Sequence, residues 1–452
     1  MPAPNQIRPV MRPYLAATAD FASGKRTPRQ FLEDSLMLLE QWEPRIGAFV
    51  CTNLPAARAA SERSTERWRA GKPASPIDGM PVGIKDIIET VDMPTEMGSA
   101  LFAGWRSEKD AACVRALRDA GAVIIGKTVT TEFAASEPRG TRNPWDTART
   151  PGGSSSGSAA SVAAGIASAA LGTQVISSTV RPASYCGCVG FKPSVNAINR
   201  EGSHDIQSQS CTGVLGASLA DVWQVAYEIV ARVGGDAGTP GLQGPERLPA
   251  AKKPKTLAVL ETAGWEVASL AAKQSFNDCV ARLKSAGVAI RSRHDDKDIA
   301  ALEKELLNAT ELSHRCNGFE AQWFFRTMRD RGASKLGPIT LERTYKYDKL
   351  TLAEYRADIK ERARIRAFYA TLAAGCDGCI TLAAPGAAPE GLASTGNPEF
   401  GVPSSLLGVP ALSLPLFEDG GMPLGLQLIG FFNADADAVA TAAWLMGAHQ
   451  VG

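Results

Sequence analysis

The chain has 452 residues, and its 48 lysines and arginines nearly balance its 47 aspartates and glutamates, which leaves a formal net charge of +1. So small a net charge gives no reason to expect a nucleic-acid partner or an anionic membrane surface. With 44% hydrophobic and 21% charged residues, the composition is that of an ordinary globular protein. A chain of this length can bury a large core, so it needs no stabilising disulfide or metal ion.

The sequence offers no segment suited to a membrane or to export. The longest run of small apolar residues, 159–171, is interrupted by Ser161, Gly165 and Ser168, and it is too short to span a bilayer. The first 14 residues contain four prolines and no apolar stretch of the kind that a signal peptide requires. We therefore expect a cytoplasmic protein.

The nine cysteines are scattered along the chain. Two pairs, Cys186 with Cys188 and Cys376 with Cys379, have the close spacing of metal ligands, but a structural zinc site needs four ligands. No histidine lies near either pair, so we expect reduced, buried thiols and no metal. Nor does any histidine lie in a motif that supports a Ser-His-Asp triad. The four histidines are His204, His294, His314 and His449.

The first part of the chain predicts two helices followed by a strand–helix–strand unit. Residues 28–40 place apolar side chains at a helical period, and residues 55–70 are rich in the helix formers Ala, Arg and Glu. The short apolar run 80–88 predicts a buried strand, residues 109–119 a helix, and residues 122–126 a second strand. This order is typical of the βαβ unit of a parallel or mixed sheet.

The second half repeats this pattern and then changes to helix. A helix over 275–283 followed by a strand at 288–290 has the same spacing as the first unit, whereas residues 301–370 are mostly helical and rich in aromatic side chains. Strand-like segments return at 379–382 and 410–415. The helical segment is therefore an insertion between sheet segments, and it forms either a packing layer or a lid and pocket wall.

A loop rich in glycine and serine, residues 151–160, runs into an alanine-rich segment. It lacks the lysine of a phosphate-binding loop and the GxSxG of a nucleophile elbow, so alone it predicts only a turn that caps a helix. A second serine loop contains Ser178, and Lys85 lies upstream in an apolar strand. A lysine held in an apolar, water-poor site loses proton affinity and can act as a base, although a lone buried lysine is more often a structural ion-pair partner.

Eight short sequence motifs follow one another along the chain, and together they identify a family far more specifically than one glycine-rich loop does. They are residues 79–86 (GMPVGIKD), 120–128 (AGAVIIGKT), 130–134 (TTEFA), 143–146 (NPWD), 152–155 (GGSS), 186–194 (CGCVGFKPS), 408–411 (GVPA) and 425–430 (GLQLIG). With these phrases the chain resembles the amidase signature family of Ser-cisSer-Lys hydrolases over nearly its whole length.

The resemblance assigns a role to each matching residue. Ser178 corresponds to the nucleophile, Ser154 to the bridging serine that follows a cis peptide bond, and Lys85 to the general base. Ser155 corresponds to a supporting hydrogen-bonding serine. The oxyanion hole corresponds to backbone N–H groups of Val175, Ile176, Ser177 and Ser178. No metal or organic cofactor is implied.

The family fold implies one α/β domain over residues 1–452, with a large mixed, twisted sheet covered by helices. Residues 1–75 would form N-terminal helices, 76–230 the catalytic signature core, and 300–370 the helical insertion that lines the substrate pocket. Homodimers are common in the family, and the resemblance leaves a homodimer open.

The function implied is hydrolysis of a C–N acyl bond through an acyl-enzyme intermediate. The substrate would be a small molecule, an amide or a carbamate. The aromatic insertion favours an aryl or apolar group in one subsite, although aromatic residues at helical spacing are also common in protein cores.

The oxyanion segment departs from the family pattern. The family usually has two glycines before the nucleophile, where this chain has Ile176 and Ser177. Because a β-branched residue does not tolerate positive φ, we expect a reshaped loop and a narrower pocket floor. Gln174 replaces the commoner Asp, as in a sub-branch with the arginine one place later, and residues 208–213 lack a usual acidic residue. A register with Ser177 as nucleophile is disfavoured, because the Arg-Pro pair at 181–182 keeps the family spacing from Ser178.

Three alternatives remain open at this point. The first is a hydrolase of small urea-derived or carbamate substrates. The second is the glutamine-hydrolysing subunit of a tRNA-dependent amidotransferase, which usually carries Arg-Gln-Pro after the nucleophile, whereas Arg181 is followed directly by Pro182 here. The third is a weakly active or non-catalytic binding protein on the same scaffold. It is suggested by Ile176 and Ser177, which stand where the family usually has two glycines.

Overall fold

The computed structural model describes residues 8–135 and 137–450. Residues 1–7, where no signal peptide is expected, and the side chain of His449 lie outside this description. The strands are β1 (Phe49–Thr52), β2 (Pro81–Lys85), β3 (Val123–Thr128), β4 (Ala169–Gln174), β5 (Val189–Lys192), β6 (Cys211–Gly216), β7 (Thr256–Val259), β8 (Ala289–Arg291), β9 (Cys379–Leu382), β10 (Ala411–Asp419) and β11 (Met422–Ile429).

The α-helices alternate with these strands. They are α1 (Thr18–Ala22), α2 (Pro28–Ile46), α3 (Leu54–Arg69), α4 (Ala112–Asp119), α5 (Ser156–Ala163), α6 (Val180–Cys186), α7 (Leu219–Val233), α8 (Leu270–Ser285), α9 (Lys297–Leu306), α10 (Ala309–Gly332), α11 (Pro338–Tyr347), α12 (Leu352–Thr371), α13 (Val402–Leu407) and α14 (Asp435–Gln450). None of them, within the residues described, has the length and apolar character needed to cross a membrane.

The strands form one mixed sheet in the order β1-β3-β2-β4-β6-β5-β10-β11-β9-β7-β8. The pairs β2–β3, β2–β4, β7–β8 and β7–β9 are parallel, and the remaining pairs are antiparallel. The predicted strand–helix–strand unit joins the parallel neighbours β2 and β3 through α4, and the predicted helix–strand pair corresponds to α8 and β8, which follow the parallel strand β7. The predicted fold class, a large mixed sheet covered by helices, is therefore confirmed.

Alternation of side chains along β3 shows how the sheet separates two apolar cores. Val123 and Ile125 pack in a cluster with α2 and α5, whereas Ile124 packs in a cluster with α4 and α7 on the opposite face. Both faces are covered, so β2, β3 and β4 are buried along their whole length.

Helix α5 is buried at all eight positions and consists of small side chains. At Gly157 there is no room for a side chain, because a Cβ would clash with the backbone at Ala48 and Val129. The small residues thus allow α5 to lie directly against the central strands. The loop that precedes α5 is held at the ends of β2 and β4 as a result.

Helices α9 to α12 occupy residues 297–371, where the sequence predicts the helical insertion. Aromatic rings join them: Phe319 of α10 stacks on Tyr355 of α12 with ring centroids 4.6 Å apart, and Phe325 meets Tyr347 of α11 at 5.6 Å. The insertion packs against α13, the helix that precedes β10, through α10 and α12. It therefore lies beside the C-terminal strands and the loops that carry the serine motifs.

Candidate active site

Lys85 is the last residue of β2, a strand in the interior of the sheet, and its side chain is fully buried. Its Nζ donates a hydrogen bond to Ser154 Oγ at 2.8 Å and another to Thr173 Oγ1 at 2.7 Å. Among the described residues, no carboxylate forms an ion pair with Lys85. This buried ammonium is therefore held by two hydroxyls instead of by an acid.

Burial lowers the pKa of Lys85 to about 8, because the charged form loses its hydration, while the nearby carboxylate of Asp205 opposes the shift. A lysine with this pKa is neutral in an appreciable fraction of molecules near pH 8. It can then accept a proton from Ser154, the hydroxyl that it contacts.

Ser154 and Ser155 form the loop that joins Lys85 to the second serine segment. The peptide bond between Gly153 and Ser154 is cis. The Ser155 hydroxyl donates to Thr173 O at 3.3 Å, and the Ser155 N–H donates to Ser178 O at 3.4 Å. The supporting serine thus connects the loop to both β4 and the residue predicted as nucleophile.

Ser178 lies in the turn between β4 and α6 and lines a cleft beside the serine loops. It retains 8% exposure, whereas Ser177 retains 1%. In the described part of the chain no hydrogen bond joins the hydroxyls of Ser178 and Ser154. Ser178 thus lines the cleft, and its hydroxyl has no hydrogen-bond partner among the described residues.

The backbone N–H groups of Ile176, Ser177 and Ser178 donate to no other described residue, and all three residues line the cleft. Neither Ile176 nor Ser177 has a positive φ. The segment thus carries three backbone donors beside the cleft that are unpaired among the described residues, with no positive φ at Ile176 or Ser177. The absence of the family's glycines therefore introduces no strained φ here.

Gln174 holds this segment in place. Its Oε1 accepts hydrogen bonds from the N–H groups of Thr179 and Val180 at 2.8 and 3.0 Å, at the start of α6. Its Nε2 donates to Ser405 Oγ at 3.0 Å, and that hydroxyl donates to Ile176 O at 2.7 Å. The amide oxygen of Gln174 thus accepts hydrogen bonds from the first N–H groups of the helix, and its amide nitrogen donates a hydrogen bond to Ser405 of α13.

Arg181 is buried and fixes the opposite side of the serine loop. Its guanidinium donates to Gly153 O at 2.6 Å, to Gly396 O at 2.7 Å and to Thr395 Oγ1 at 3.1 Å. Burial lowers the pKa of Arg181 to about 10. The charged guanidinium thus donates hydrogen bonds to carbonyl and hydroxyl oxygens of the loops that frame the cleft.

The cleft has a volume of about 260 Å³. Its lining combines the predicted loop 175–178 with polar side chains that the sequence did not identify, from the loop before β6 and from the insertion. The additional polar residues are Asp205, Gln207, His314, Asn317 and Arg343. Burial lowers the pKa of His314, so its imidazole is neutral over more of the acid range. No motif marks these residues, because they reach the cleft from segments far from the serine loops in sequence.

Thr173 is a further contact that sequence reasoning missed. It lies in β4, which pairs in parallel with β2 so that Ile84 is opposite Leu171. This register brings the Thr173 hydroxyl to Lys85 Nζ. Only the strand pairing could have indicated it.

All nine cysteines are free thiols, and the described residues contain no group of three or more His, Cys, Asp or Glu side chains arranged to hold a metal ion. Cys186 and Cys188 are buried, and burial raises the pKa of both thiols. These thiols are therefore in their neutral form at ordinary pH.

The family model described as Amidase matches residues 30–438. The chain therefore belongs to the amidase family, the hydrolases of the amidase signature, as its sequence motifs imply.

Among sequence relatives, a glutamyl-tRNA(Gln) amidotransferase subunit from Anaeromyxobacter sp. (strain K) is 31% identical over 470 residues, which cover 92% of this chain and 91% of that protein. The corresponding subunit of Chloroflexus aggregans (strain MD-66 / DSM 9485) is 44% identical over 193 residues, and there the match spans only 41% of this chain and 40% of the relative.

Among solved structures, a crystal structure of an amidase superposes with a TM-score of 0.83 at 28% identity and covers 96% of this chain and 99% of its own. The native peptide amidase of Stenotrophomonas maltophilia superposes with a TM-score of 0.76 at 24% identity, over 97% of both chains. The second likeness supports the fold alone.

Proposed function

We propose that the protein hydrolyses the C–N acyl bond of a small amide or carbamate, with Ser178 as nucleophile, Ser154 as proton relay and Lys85 as general base. The observation that carries this proposal is the 2.8 Å contact between Lys85 Nζ and Ser154 Oγ, made by a buried lysine whose pKa is lowered to about 8. A structural lysine would be expected to face a carboxylate.

In the first half of the reaction the Ser178 hydroxyl moves within hydrogen-bond distance of Ser154. Ser178 Oγ then attacks the acyl carbon, its proton passes to Ser154 Oγ, and the Ser154 proton passes to neutral Lys85. The carbonyl oxygen becomes an oxyanion, which the free N–H groups of Ile176, Ser177 and Ser178 would stabilise. Each such donor contributes about 3–4 kcal/mol in the transition state.

In the second half the C–N bond breaks and the leaving amine takes the proton back from Lys85 through Ser154. The acyl group remains as an ester on Ser178. Water then attacks this ester, passes its proton along the same relay, and releases the acid with Ser178 restored. The protein groups return to their starting protonation states, so no cofactor is consumed.

The insertion, residues 300–370, is proposed as a wall of the substrate pocket. Phe325 and Tyr347 line the cleft from this segment. Phe133 lines it from outside the segment, and its ring centroid lies 6.0 Å from that of Phe325. These rings offer an apolar surface to part of the substrate, which favours an aryl or alkyl group there. We also propose the division of the chain that the family fold implies, with residues 1–75 as N-terminal helices and residues 76–230 as the signature core.

The proposal is tested by turnover of an anilide, a carbamate and a carboxylated urea, each with the wild-type chain and with Lys85→Ala, Ser154→Ala and Ser178→Ala. We expect at least one substrate to be hydrolysed and each variant to lose several orders of magnitude in kcat, with melting temperatures showing that the variants fold. A preference for the urea would select the first alternative. Turnover unchanged in Ser178→Ala would contradict the proposal, and no turnover of any substrate would favour a binding protein.

The second candidate is glutamine hydrolysis within a tRNA-dependent amidotransferase. It is favoured by the 31% identity to the amidotransferase subunit from Anaeromyxobacter sp. (strain K) over nearly the whole chain, and it is opposed by the missing glutamine between Arg181 and Pro182. Co-purification with partner subunits and glutamine hydrolysis only in their presence would establish it.

A further inference from the structure

One wall of the cleft presents side-chain oxygens that have no partner. Asp205 is 3% exposed; its Oδ1 accepts from Ser203 Oγ at 2.8 Å, and its Oδ2 has no hydrogen bond within the described structure. Asn317 of α10 is 6% exposed; its Nδ2 donates to Ser313 O at 2.7 Å, and its Oδ1 is likewise unpaired. The helix carbonyl fixes the orientation of the Asn317 amide, since an amide oxygen could not donate to it.

Gln207 adds a third oxygen to the same wall. Its Oε1 is buried and unpaired among the described residues, and Gln207 lines the cleft beside Asp205. The loop that carries both is attached to α10, because the Ser208 N–H donates to Glu320 Oε2 at 2.6 Å. Glu320 lies one helical turn beyond Asn317, so the loop and the helix bring the three oxygens to one region.

These oxygens require a particular ligand chemistry. A buried acceptor without a partner costs about 1–3 kcal/mol, and the cost is higher for a charged group. An ionised carboxylate and two amide oxygens can only accept hydrogen bonds, whereas an ammonium group has three N–H donors and no acceptor. A protonated primary amine has one N–H donor for each of the three acceptors and carries the charge opposite to that of the carboxylate.

No cation around the cleft pairs with Asp205 among the described residues: Lys85 lies near enough to feel its charge, but no hydrogen bond or ion pair joins the two. Arg181 already donates to Gly153 O, Gly396 O and Thr395 Oγ1. Arg343 enters the cleft from α11, and the neutral form of His314 is favoured by burial. Asp205 is the carboxylate that lines the cleft among the described residues.

We propose that Asp205, Gln207 and Asn317 form a specificity subsite that binds a protonated primary amine of the substrate. This inference rests on the proposed amide hydrolysis and narrows its substrate class to amides or carbamates that carry an ammonium group beyond the scissile bond.

A first experiment compares two amides that differ only in their far end, one with a terminal ammonium and one with an isosteric methyl group. The wild-type chain is expected to prefer the ammonium substrate in kcat/KM by about tenfold or more, and Asp205→Asn and Asn317→Leu are expected to remove most of that preference, chiefly through KM. Asp221→Asn, a change at a buried aspartate that contacts Tyr14 and Leu15 instead of the cleft, should keep the preference. An equal ratio in wild type and Asp205→Asn would overturn the subsite.

This comparison also separates binding from an influence on the base. If Asp205 only adjusted the proton affinity of Lys85, Asp205→Asn would shift the pH profile of both substrates equally and leave their ratio unchanged. That result would overturn the proposal.

A second experiment needs no turnover. Hexylammonium and 1-hexanol are titrated into Ser178→Ala by calorimetry, and again into Ser178→Ala with Asp205→Asn. Binding of the ammonium ligand that is at least about tenfold weaker in the double variant supports the subsite, and equal binding of both ligands overturns it. Because Ser178→Ala has no nucleophile, a failure here leaves the proposed hydrolysis standing, and failure of hydrolysis leaves this result interpretable.

Discussion

At the scale of single residues, Lys85 differs from the other buried lysine of this region. Lys127 lies beside Asp86, with Nζ 3.3 Å from Oδ1, and has the ion-pair partner expected of a structural cation. Lys85 instead contacts the hydroxyls of Ser154 and Thr173. The two lysines therefore have different surroundings: Lys127 balances a buried carboxylate, whereas Lys85 has the hydroxyl contacts that the proposed general base requires.

The pH dependence of the rate follows from this placement. Because Lys85 must be neutral to accept a proton and its pKa is about 8, kcat/KM is expected to rise about tenfold per pH unit below pH 8 and to level off above it. A pH–rate profile from 6 to 9.5 on a neutral substrate measures this rise, and the residual activity of Lys85→Ala should lack it. A flat wild-type profile would contradict the assignment of the base.

Stability should also respond to pH through Lys85. Its folded-state pKa is lowered from 10.5 to about 8, so between these values the unfolded chain binds more protons and the folded state gains stability as the pH rises. Below pH 8 the buried charge destabilises the fold. Lys85→Met, which keeps the unbranched chain up to the position of Cε and removes the charged Nζ, is therefore expected to raise the free energy of unfolding at pH 7 by about 1–3 kcal/mol.

Urea titrations of both proteins at pH 7 and pH 9.5 test this expectation. The advantage of Lys85→Met should shrink at the higher pH, because the wild-type lysine is then neutral in the fold. A variant less stable than wild type at pH 7, or an advantage that grows with pH, would show that the lysine is charged and stabilising.

Ser177 supplies a control for the nucleophile. Its hydroxyl is buried, has no partner among the described residues and packs against Gly401. Removing an unpaired buried hydroxyl costs little, so Ser177→Ala should leave the free energy of unfolding equal or higher by up to about 1 kcal/mol. It should also keep the activity, whereas Ser178→Ala loses it. Loss of activity in Ser177→Ala with normal stability would revive the alternative register.

The sequence predicted the serine loops and the helical insertion as a pocket wall, but not the polar residues that line this wall. Lys85, Ser154 and Ser178 lie in motifs whose local spacing is distinctive. Asp205 and Asn317 lie in segments without a motif; both line the cleft, and a hydrogen bond from Ser208 joins the loop of Asp205 to α10. Contacts between segments more than a hundred residues apart depend on the packing of the whole chain, which local patterns do not describe.

At the scale of elements, α10 and α11 shape the cleft by their close approach. Gly318 of α10 faces Tyr347, and a Cβ at Gly318 would lie 2.6 Å from two carbons of the Tyr347 ring. Tyr347 and Asn317, the neighbour of Gly318, both line the cleft. The glycine thus sets the distance between the two helices and the width of the pocket.

Gly318→Ala is therefore expected to destabilise the fold by about 1–3 kcal/mol through overpacking, despite the better helix propensity of alanine. It should also raise KM several-fold, because it displaces Tyr347. The matched control is Gly447→Ala in α14, where a Cβ meets open space and the change should stabilise by about 0.5–1 kcal/mol. Chemical denaturation and steady-state kinetics measure both effects. Equal behaviour of the two variants would show that the helices can separate without cost.

Element boundaries show what local patterns can and cannot define. The apolar run 80–88 predicts a longer strand than β2, which ends at Lys85 because the backbone turns there: the N–H groups of Ile87 and Ile88 both donate to Lys85 O. The predicted helix at 109–119 begins later, at Ala112, after Ala111 in an extended conformation. In both cases the hydrophobic pattern continues beyond the point at which tertiary contacts redirect the chain.

At the scale of the whole molecule, one sheet connects the two motif regions. Strand β5, which follows the nucleophile segment, pairs with β10 from the C-terminal part of the chain. This pairing places α13 and Ser405 against the oxyanion segment. The site is therefore assembled in the middle of the sheet from two distant parts of the chain, and a fragment that lacked either part would lose it.

The chain alone should be active if the proposed hydrolysis is right. With a formal net charge of +1 it has no strong field for attracting a polyanionic partner such as tRNA. The purified chain, as a monomer or a homodimer in light scattering, is expected to hydrolyse an amide without other subunits. Activity that emerges only when other subunits are present would favour the amidotransferase.

A covalent acyl-enzyme on Ser178 is the step on which the proposed hydrolysis depends. The most direct measurement is intact-protein mass spectrometry after treatment with a serine-reactive fluorophosphonate, followed by peptide mapping, for wild type, Ser177→Ala and Ser178→Ala. We expect one adduct in wild type and in Ser177→Ala, located at Ser178, and none in Ser178→Ala. An adduct that persists in Ser178→Ala, or a wild-type protein that turns over amides yet forms no adduct, would contradict this mechanism.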